Sequence, residues 1–304
     1  MREFRLALAT ACATLALLVI GGLVHSTGSS LACPDWPLCY GQFFPRMEGG
    51  ILFEHGHRLA ALCVAALTVA LAVLVHRAGR EAALRRLSLL AVGLVLVQAL
   101  LGGLTVIYKL PLLVSSSHLA TSMAFFCAVI TLAHRLRPAG SRPPAAPRAL
   151  VGAAVLGTYL QIVLGALVRH TGAGLACNTR IPLCDGALWP AAGPAQLHMA
   201  HRLAGLALAA LVVAAAAGPL RAALRDGHRA RLWLAAAAPL LVFGQIALGF
   251  LSVVGFLSIP LVTAHLAVGA LLLADLLSLF LALGPRASAA PGHGVSAGLA
   301  PAAG

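Results

Sequence analysis

The chain alternates long apolar runs with short polar breaks. Eight runs can be marked, at roughly 6–24, 53–76, 87–107, 115–136, 149–168, 197–217, 232–255 and 260–283. Each has about 20 residues, the length a helix needs to cross a bilayer core. Lipid offers the backbone N–H and C=O groups no water, so each run is expected to close its hydrogen bonds internally as an α-helix. The pattern predicts an all-α integral membrane protein with eight transmembrane helices.

The runs fall into two sets of four. Leu23-Val24-His25-Ser26-Thr27-Gly28-Ser29-Ser30-Leu31-Ala32-Cys33 lines up with Leu167-Val168-Arg169-His170-Thr171-Gly172-Ala173-Gly174-Leu175-Ala176-Cys177 at an offset of 144. The same offset carries His57-Arg58 onto His201-Arg202. Further on, Gln98-Ala99-Leu100-Leu101-Gly102 matches Gln245-Ile246-Ala247-Leu248-Gly249 at an offset of 147, which also carries His118 onto His265. Four helices per copy preserve the in–out sense, so the expected fold is two tandem four-helix bundles in a parallel internal repeat. The halves are residues 1–136 and 149–283. Residues 137–148 form a Pro-rich linker, and 284–304 an Ala/Gly/Pro-rich tail expected to be disordered.

Composition agrees with a membrane protein: 61% of the 304 residues are hydrophobic and only 10% charged. The net charge of +13 suggests nucleic acid until its distribution is read. Fifteen Arg fall on the segments that lie inside if the N-terminus is cytoplasmic; Arg46, Lys109, Arg169 and Arg180 alone fall outside. That is a positive-inside bias, and it predicts cytoplasmic N- and C-termini. The loops are too short to build a basic surface, which excludes nucleic acid. Arg2 and Arg5 before the first run imitate a signal peptide, but 149–168 occupies the same place in the second half, so the first run is read as a retained helix.

The chemistry lies in the polar residues that interrupt the spans. Helices 2, 4, 6 and 8 all enter from the outer face, with His57, His118, His201 and His265 within a turn or two of entry. An ionisable residue in a span is costly and marks function by default. Paired His on facing helices of a bundle hold a planar metal cofactor axially, so two pairs point to two such sites, one per half. Among the 12 His only these four coincide as His under the repeat. The residue three before the His-Arg pair differs: Glu54 in the first half, His198 in the second. A carboxylate on the ligand face can take a proton or stabilise positive charge. The first half is therefore expected to do chemistry and the second to carry electrons. A helix-terminal carboxylate favoured by the dipole is the plainer account of Glu54. Arg58 and Arg202 are candidates for pairing with cofactor propionates or for reaching the headgroups. Asp275 is a lone carboxylate deep in a span, opposite Ala128 in the repeat.

Cys33 and Cys39 lie in the first outer loop, Cys177 and Cys184 in its repeat. Outside the membrane, two close pairs read as two disulfides. Metal binding or thiol exchange with a redox partner is the alternative.

Thr27-Gly28-Ser29-Ser30-Leu31-Ala32-Cys33-Pro34-Asp35-Trp36-Pro37-Leu38-Cys39, followed by Glu54, His57-Arg58 and His118, then Gly172-Ala173-Gly174-Leu175-Ala176-Cys177, His201-Arg202 and His265, resembles the haem A synthase family of the bacterial cysteine-containing type. The resemblance covers all eight helices. It implies an oxidoreductase that converts the C8 methyl of haem O to a formyl group, through an alcohol, giving haem A for haem-copper oxidases. It implies that His201 and His265 are the iron ligands of a resident haem b, that His57 and His118 hold the iron of the substrate haem O, and that Glu54 is the catalytic carboxylate. It also implies outer-loop disulfides and a haem O synthase as donor. A homo-oligomer is compatible with it. The first half departs from the family in carrying His25 where Arg is common; Arg169 keeps it in the second. The competing reading is a di-haem b transmembrane electron carrier without turnover, which has the same four His and no need of Glu54.

Overall fold

The computed structural model describes residues 1–138, 148–179, 182–184, 186–191 and 193–284. Most of the linker and nearly all of the tail lie outside the described residues. Among those described, eight helices are long and apolar enough to cross a membrane. They are α1 (Arg2–Ser26), α2 (Gly49–Arg77), α3 (Ala82–Ile107), α4 (Leu112–Arg135), α5 (Ala149–His170), α6 (Gly193–Asp226), α7 (Arg229–Val254) and α8 (Ile259–Ala282), with a 3-10 turn at Ala173–Leu175. The protein is a multi-pass, all-α membrane protein, as the apolar runs predict.

The helices outrun the apolar runs, most of all α6. Its 34 residues span about 50 Å against a core of about 30 Å. Hydropathy detects only the part immersed in hydrocarbon, whereas backbone bonding continues into the polar zone. Pro219 in α6 and Pro239 in α7 are accommodated within continuous helices.

Where the helices stop, backbone conformation decides. Gly28 after α1 and Gly172 after α5 adopt φ of 70° and 69°, a left-handed turn that glycine enters without steric cost. The links after α3 and α7 use two consecutive left-handed non-glycine residues each, Lys109-Leu110 and Phe256-Leu257. Leu110 N–H donates back to Thr105 O, and Leu257 N–H to Ser252 O, both at 2.7 Å. These bonds satisfy carbonyls orphaned at the helix ends.

The middle of the molecule is α1, α4, α5 and α8; α2 and α3 flank it on one side, α6 and α7 on the other. One buried cluster joins α1 to α4 through Ala7, Leu71, Ala91 and Val129. A second joins α5 to α8 through Ala154, Val212, Ala238 and Leu276. A third, with Leu18, Met123, Phe126, Ala270 and Leu273, lies between α1, α4 and α8. Side chains such as Leu62, Leu96, Leu206 and Leu240 project outward from mid-helix. In water such a surface would drive association, whereas lipid solvates it.

Candidate functional site

His57, His118, His201 and His265 sit near the starts of α2, α4, α6 and α8, at one end of the bundle. Each ring is backed by a glycine of the preceding long helix. A Cβ added to Gly21 of α1 would meet His57 Cε1 at 3.1 Å, and one on Gly165 of α5 would meet His201 Cε1 at 3.0 Å. Gly102 of α3 stands at 3.4 Å from His118 Cε1, and Gly249 of α7 at 3.1 Å from His265 Cε1. Gly21 and Gly165 are 144 apart, Gly102 and Gly249 147 apart. The Cε1 edge of each ring thus lies against backbone that glycine leaves open.

His201 and His265 face one another with ring centroids 6.5 Å apart and planes at 74°. The buried Nδ1 atoms of His57, His118 and His265 have no hydrogen-bond partner within the described protein, an expensive condition for a polar atom that no ligand satisfies. His201 differs: Gln161 Nε2 of α5 donates to its carbonyl oxygen at 2.7 Å and lies 3.1 Å from Nδ1.

Glu54 is buried and both carboxylate oxygens are engaged. Oε2 accepts from Cys33 N–H at 2.8 Å, and Oε1 from Arg58 Nη2 at 2.7 Å. Arg58 also donates to the carbonyls of Asp35, Leu38 and Cys33. The pair therefore clasps the loop after α1 onto α2, with Glu54 one turn before His57 and Arg58 directly after it. In the second half Arg202 Nε donates to His198 Nε2 at 3.2 Å, so a neutral acceptor replaces the carboxylate.

The loops after α1 and α5 are closed by disulfides Cys33–Cys39 and Cys177–Cys184. His55 donor nitrogen and the two sulfurs of the first pair lie within 4.8 Å of one another. This is a trio with metal-ligand spacing, but sulfurs joined to each other offer no thiolate, so in the oxidised form it is not a metal centre. His55 Nε2 instead bonds Phe43 O at 2.9 Å. Trp36 of the same loop lies on α3, where a Cβ at Gly103 would come within 2.8 Å of the indole. His25 contacts His170 with ring centroids 4.9 Å apart and planes tilted by 56°, joining the C-terminal ends of α1 and α5. Asp275 keeps one carboxylate oxygen buried without a hydrogen-bond partner.

The family model described as cytochrome oxidase assembly protein, COX15-CtaA, matches residues 4–51 and 49–277. The chain belongs to this family. It is 34% identical over 268 residues to the Heme A synthase of Symbiobacterium thermophilum, covering 83% of this chain and 86% of the relative. It is 34% identical over 225 residues to the Heme A synthase of Bacillus pumilus, covering 68% and 72%. Membership in COX15-CtaA gives the chain an enzymatic, oxidoreductase-type character.

The spacing of the His201 and His265 rings is compatible with two imidazoles on one metal ion, as a haem would require. Two metal–nitrogen bonds of about 2 Å, plus roughly 1 Å from nitrogen to ring centre on each side, put axial imidazole centroids about 6 Å apart. The 6.5 Å between His201 and His265 fits that spacing; the 4.9 Å of His25 and His170 is direct contact. The glycines and Gln161 were not singled out by motif reasoning. The signal that could have found the glycines was their recurrence at the two repeat offsets.

Proposed function

We propose that the chain is a haem A synthase of a bacterial cytoplasmic membrane. It oxidises the C8 methyl of haem O through an alcohol to the formyl group of haem A, destined for haem-copper oxidases. It is organised as two tandem four-helix halves, 1–136 and 149–283, with both termini cytoplasmic and the cysteine loops outside. The observation that carries the reading is the facing, glycine-backed pair His201 and His265 with its repeat counterpart His57 and His118.

His201 and His265 hold a resident haem b. His57 and His118 hold the substrate. When bound, haem b supplies the one-electron chemistry that side chains lack. Glu54 works beside the substrate: loss of two electrons and a proton from the methyl to an external electron acceptor would leave a cation-like carbon, which the carboxylate would stabilise, or it would take a proton from the water that adds to that carbon to give the alcohol. Each carboxylate oxygen has a lone pair left after the bonds from Cys33 and Arg58. Arg58 orients Glu54 and the loop, and Arg58 and Arg202 remain the candidates for propionate contacts. Haem O synthase is the donor of substrate.

The engagement of both Glu54 oxygens with the loop also favours a second reading, a di-haem b electron carrier in which Glu54 is structural. Co-expression with a source of haem O, followed by haem extraction, separates them. A synthase gives haem A or its alcohol precursor. Haem O carried through unchanged leaves the carrier.

A further inference from the structure

The two halves hold their imidazoles differently, and the difference lies in side chains from neighbouring helices. In the second half Gln161 reaches His201 by its carbonyl oxygen at 2.7 Å and its Nδ1 at 3.1 Å. Room for that amide comes from Gly205, one turn beyond His201, where an added Cβ would lie 3.1 Å from Gln161 Nε2. On α7, Gln245 Nε2 lies 3.4 Å from His265 Nε2. Its room comes from Gly269, where a Cβ would stand 3.0 Å from the same nitrogen.

At the 144 offset, Gln161 and Gly205 are replaced together by Leu17 and Ala61. The first pair loses the amide and fills the space it needs. At the 147 offset Gln98 is kept, but Ser122 stands in place of Gly269, and the buried Gln98 Nε2 has no hydrogen-bond partner among the described residues. Both second-half imidazoles therefore have an amide at them, and both positions that make room are filled in the first half.

We infer that Gln161 with Gly205, and Gln245 with Gly269, are positioning residues that set the second half to retain its porphyrin, while Leu17, Ala61 and Ser122 leave the first half free to exchange. This rests on the assignment of resident haem to His201 and His265 and of substrate to His57 and His118. The physical basis is orientational: an amide anchored on the His201 carbonyl oxygen and packed at the ring edge restrains the imidazole before the metal arrives, and losing a residue that orients a ligating His weakens metal binding about 10–100-fold. Retention suits a resident cofactor; release suits a substrate that must leave as product.

The test uses purified full-length protein carrying haem b, mixed with excess apomyoglobin, with transfer followed by absorbance. Gln161→Leu is expected to release haem b roughly 10–100-fold faster than the unsubstituted protein and to shift the ferric haem EPR signal, which loosened packing away from the ligand does not do. Gly205→Ala, which displaces the amide without removing it, is expected to release haem faster by a smaller factor. Leu17→Gln combined with Ala61→Gly is expected to slow release from the first half, so that the haem-to-protein ratio after purification rises. Unchanged release and EPR in both Gln161→Leu and Gly205→Ala overturn the inference, as does a Leu17→Gln, Ala61→Gly protein with the original ratio. Failure of the underlying assignment looks different: His201→Ala would then keep haem b as the unsubstituted protein does.

Discussion

Arg58 reaches Glu54 at 2.7 Å across one turn of α2, with 13% and 5% of the two side chains exposed. The same guanidinium holds three carbonyls of the loop closed by Cys33 and Cys39. Charge, loop and helix are thereby one unit beside His57. Removing one partner of a buried pair strands the other charge, so Arg58→Ala is expected to cost about 3 kcal/mol, read as a lower unfolding midpoint in detergent. Glu54→Ala is expected to abolish the alcohol and formyl products while haem b stays bound, measured by chromatography of extracted haems. Undiminished product from Glu54→Ala would leave the residue a purely structural role.

A methyl group placed behind a ligand ring tests the glycine contacts. Gly165→Ala would bring its Cβ to 3.0 Å from His201, and Gly249→Ala to 3.1 Å from His265. Overpacking of this kind costs about 1–3 kcal/mol, so haem b per protein is expected to fall in both variants. Gly21→Ala, at 3.1 Å from His57, is expected to spare haem b and reduce product. Pyridine haemochrome spectra alongside product assay distinguish the two patterns.

The spans were legible because hydropathy and the lipid requirement for internal hydrogen bonds act on the same residues. The four His stand out in the sequence because offsets of 144 and 147 place His57 on His201 and His118 on His265, whereas His25 falls on Arg169. What faces what was not legible. Glu54 shares a helix face with His57 by spacing, yet its carboxylate oxygens go to Arg58 and to a backbone N–H of the loop. Gln161 lies on a different helix from His201, 40 residues away, and no local period connects them. Helix ends such as Asp226 of α6 escape a hydropathy reading because polar residues there remain helical in the headgroup zone.

The cysteines divide cleanly between loops and spans. Cys33, Cys39, Cys177 and Cys184 are bridged, whereas Cys12, Cys63 and Cys127 are free. Denaturing alkylation without reductant is expected to label the three free thiols, and reduction to expose four more, counted by mass. Each bridge closes a short loop, of separation 6 and 7, for which chain entropy gives about 2 kcal/mol. Cys33→Ser with Cys39→Ser is expected to lose more than that, because Glu54 and Arg58 both bond the same loop. Equal losses for the two pairs would show that the clasp adds nothing.

Asp35 gives the loop a pH dependence whose sign follows from its bonds. Its carboxylate accepts from Tyr40 N–H at 2.6 Å and Gly41 N–H at 2.8 Å, and these two residues are left-handed, at φ of 52° and 70°. The Gly41 bond foremost, then the Tyr40 bond, holds the carboxyl below the usual carboxylate range. A depressed folded-state pKa means the stabilisation is fully present above the unfolded value and is lost as pH falls through the folded one. The protection factors of the Tyr40 and Gly41 amides are therefore expected to persist at a pH where free Asp is half protonated, and to collapse only at lower pH. Asp35→Ala removes the acceptor, leaving Tyr40 in a conformation that a side chain disfavours, so both amides are expected to be open throughout. Hydrogen exchange across the acid range reads this directly; a collapse centred at the ordinary carboxylate pKa would mean that the bonds contribute nothing to the loop.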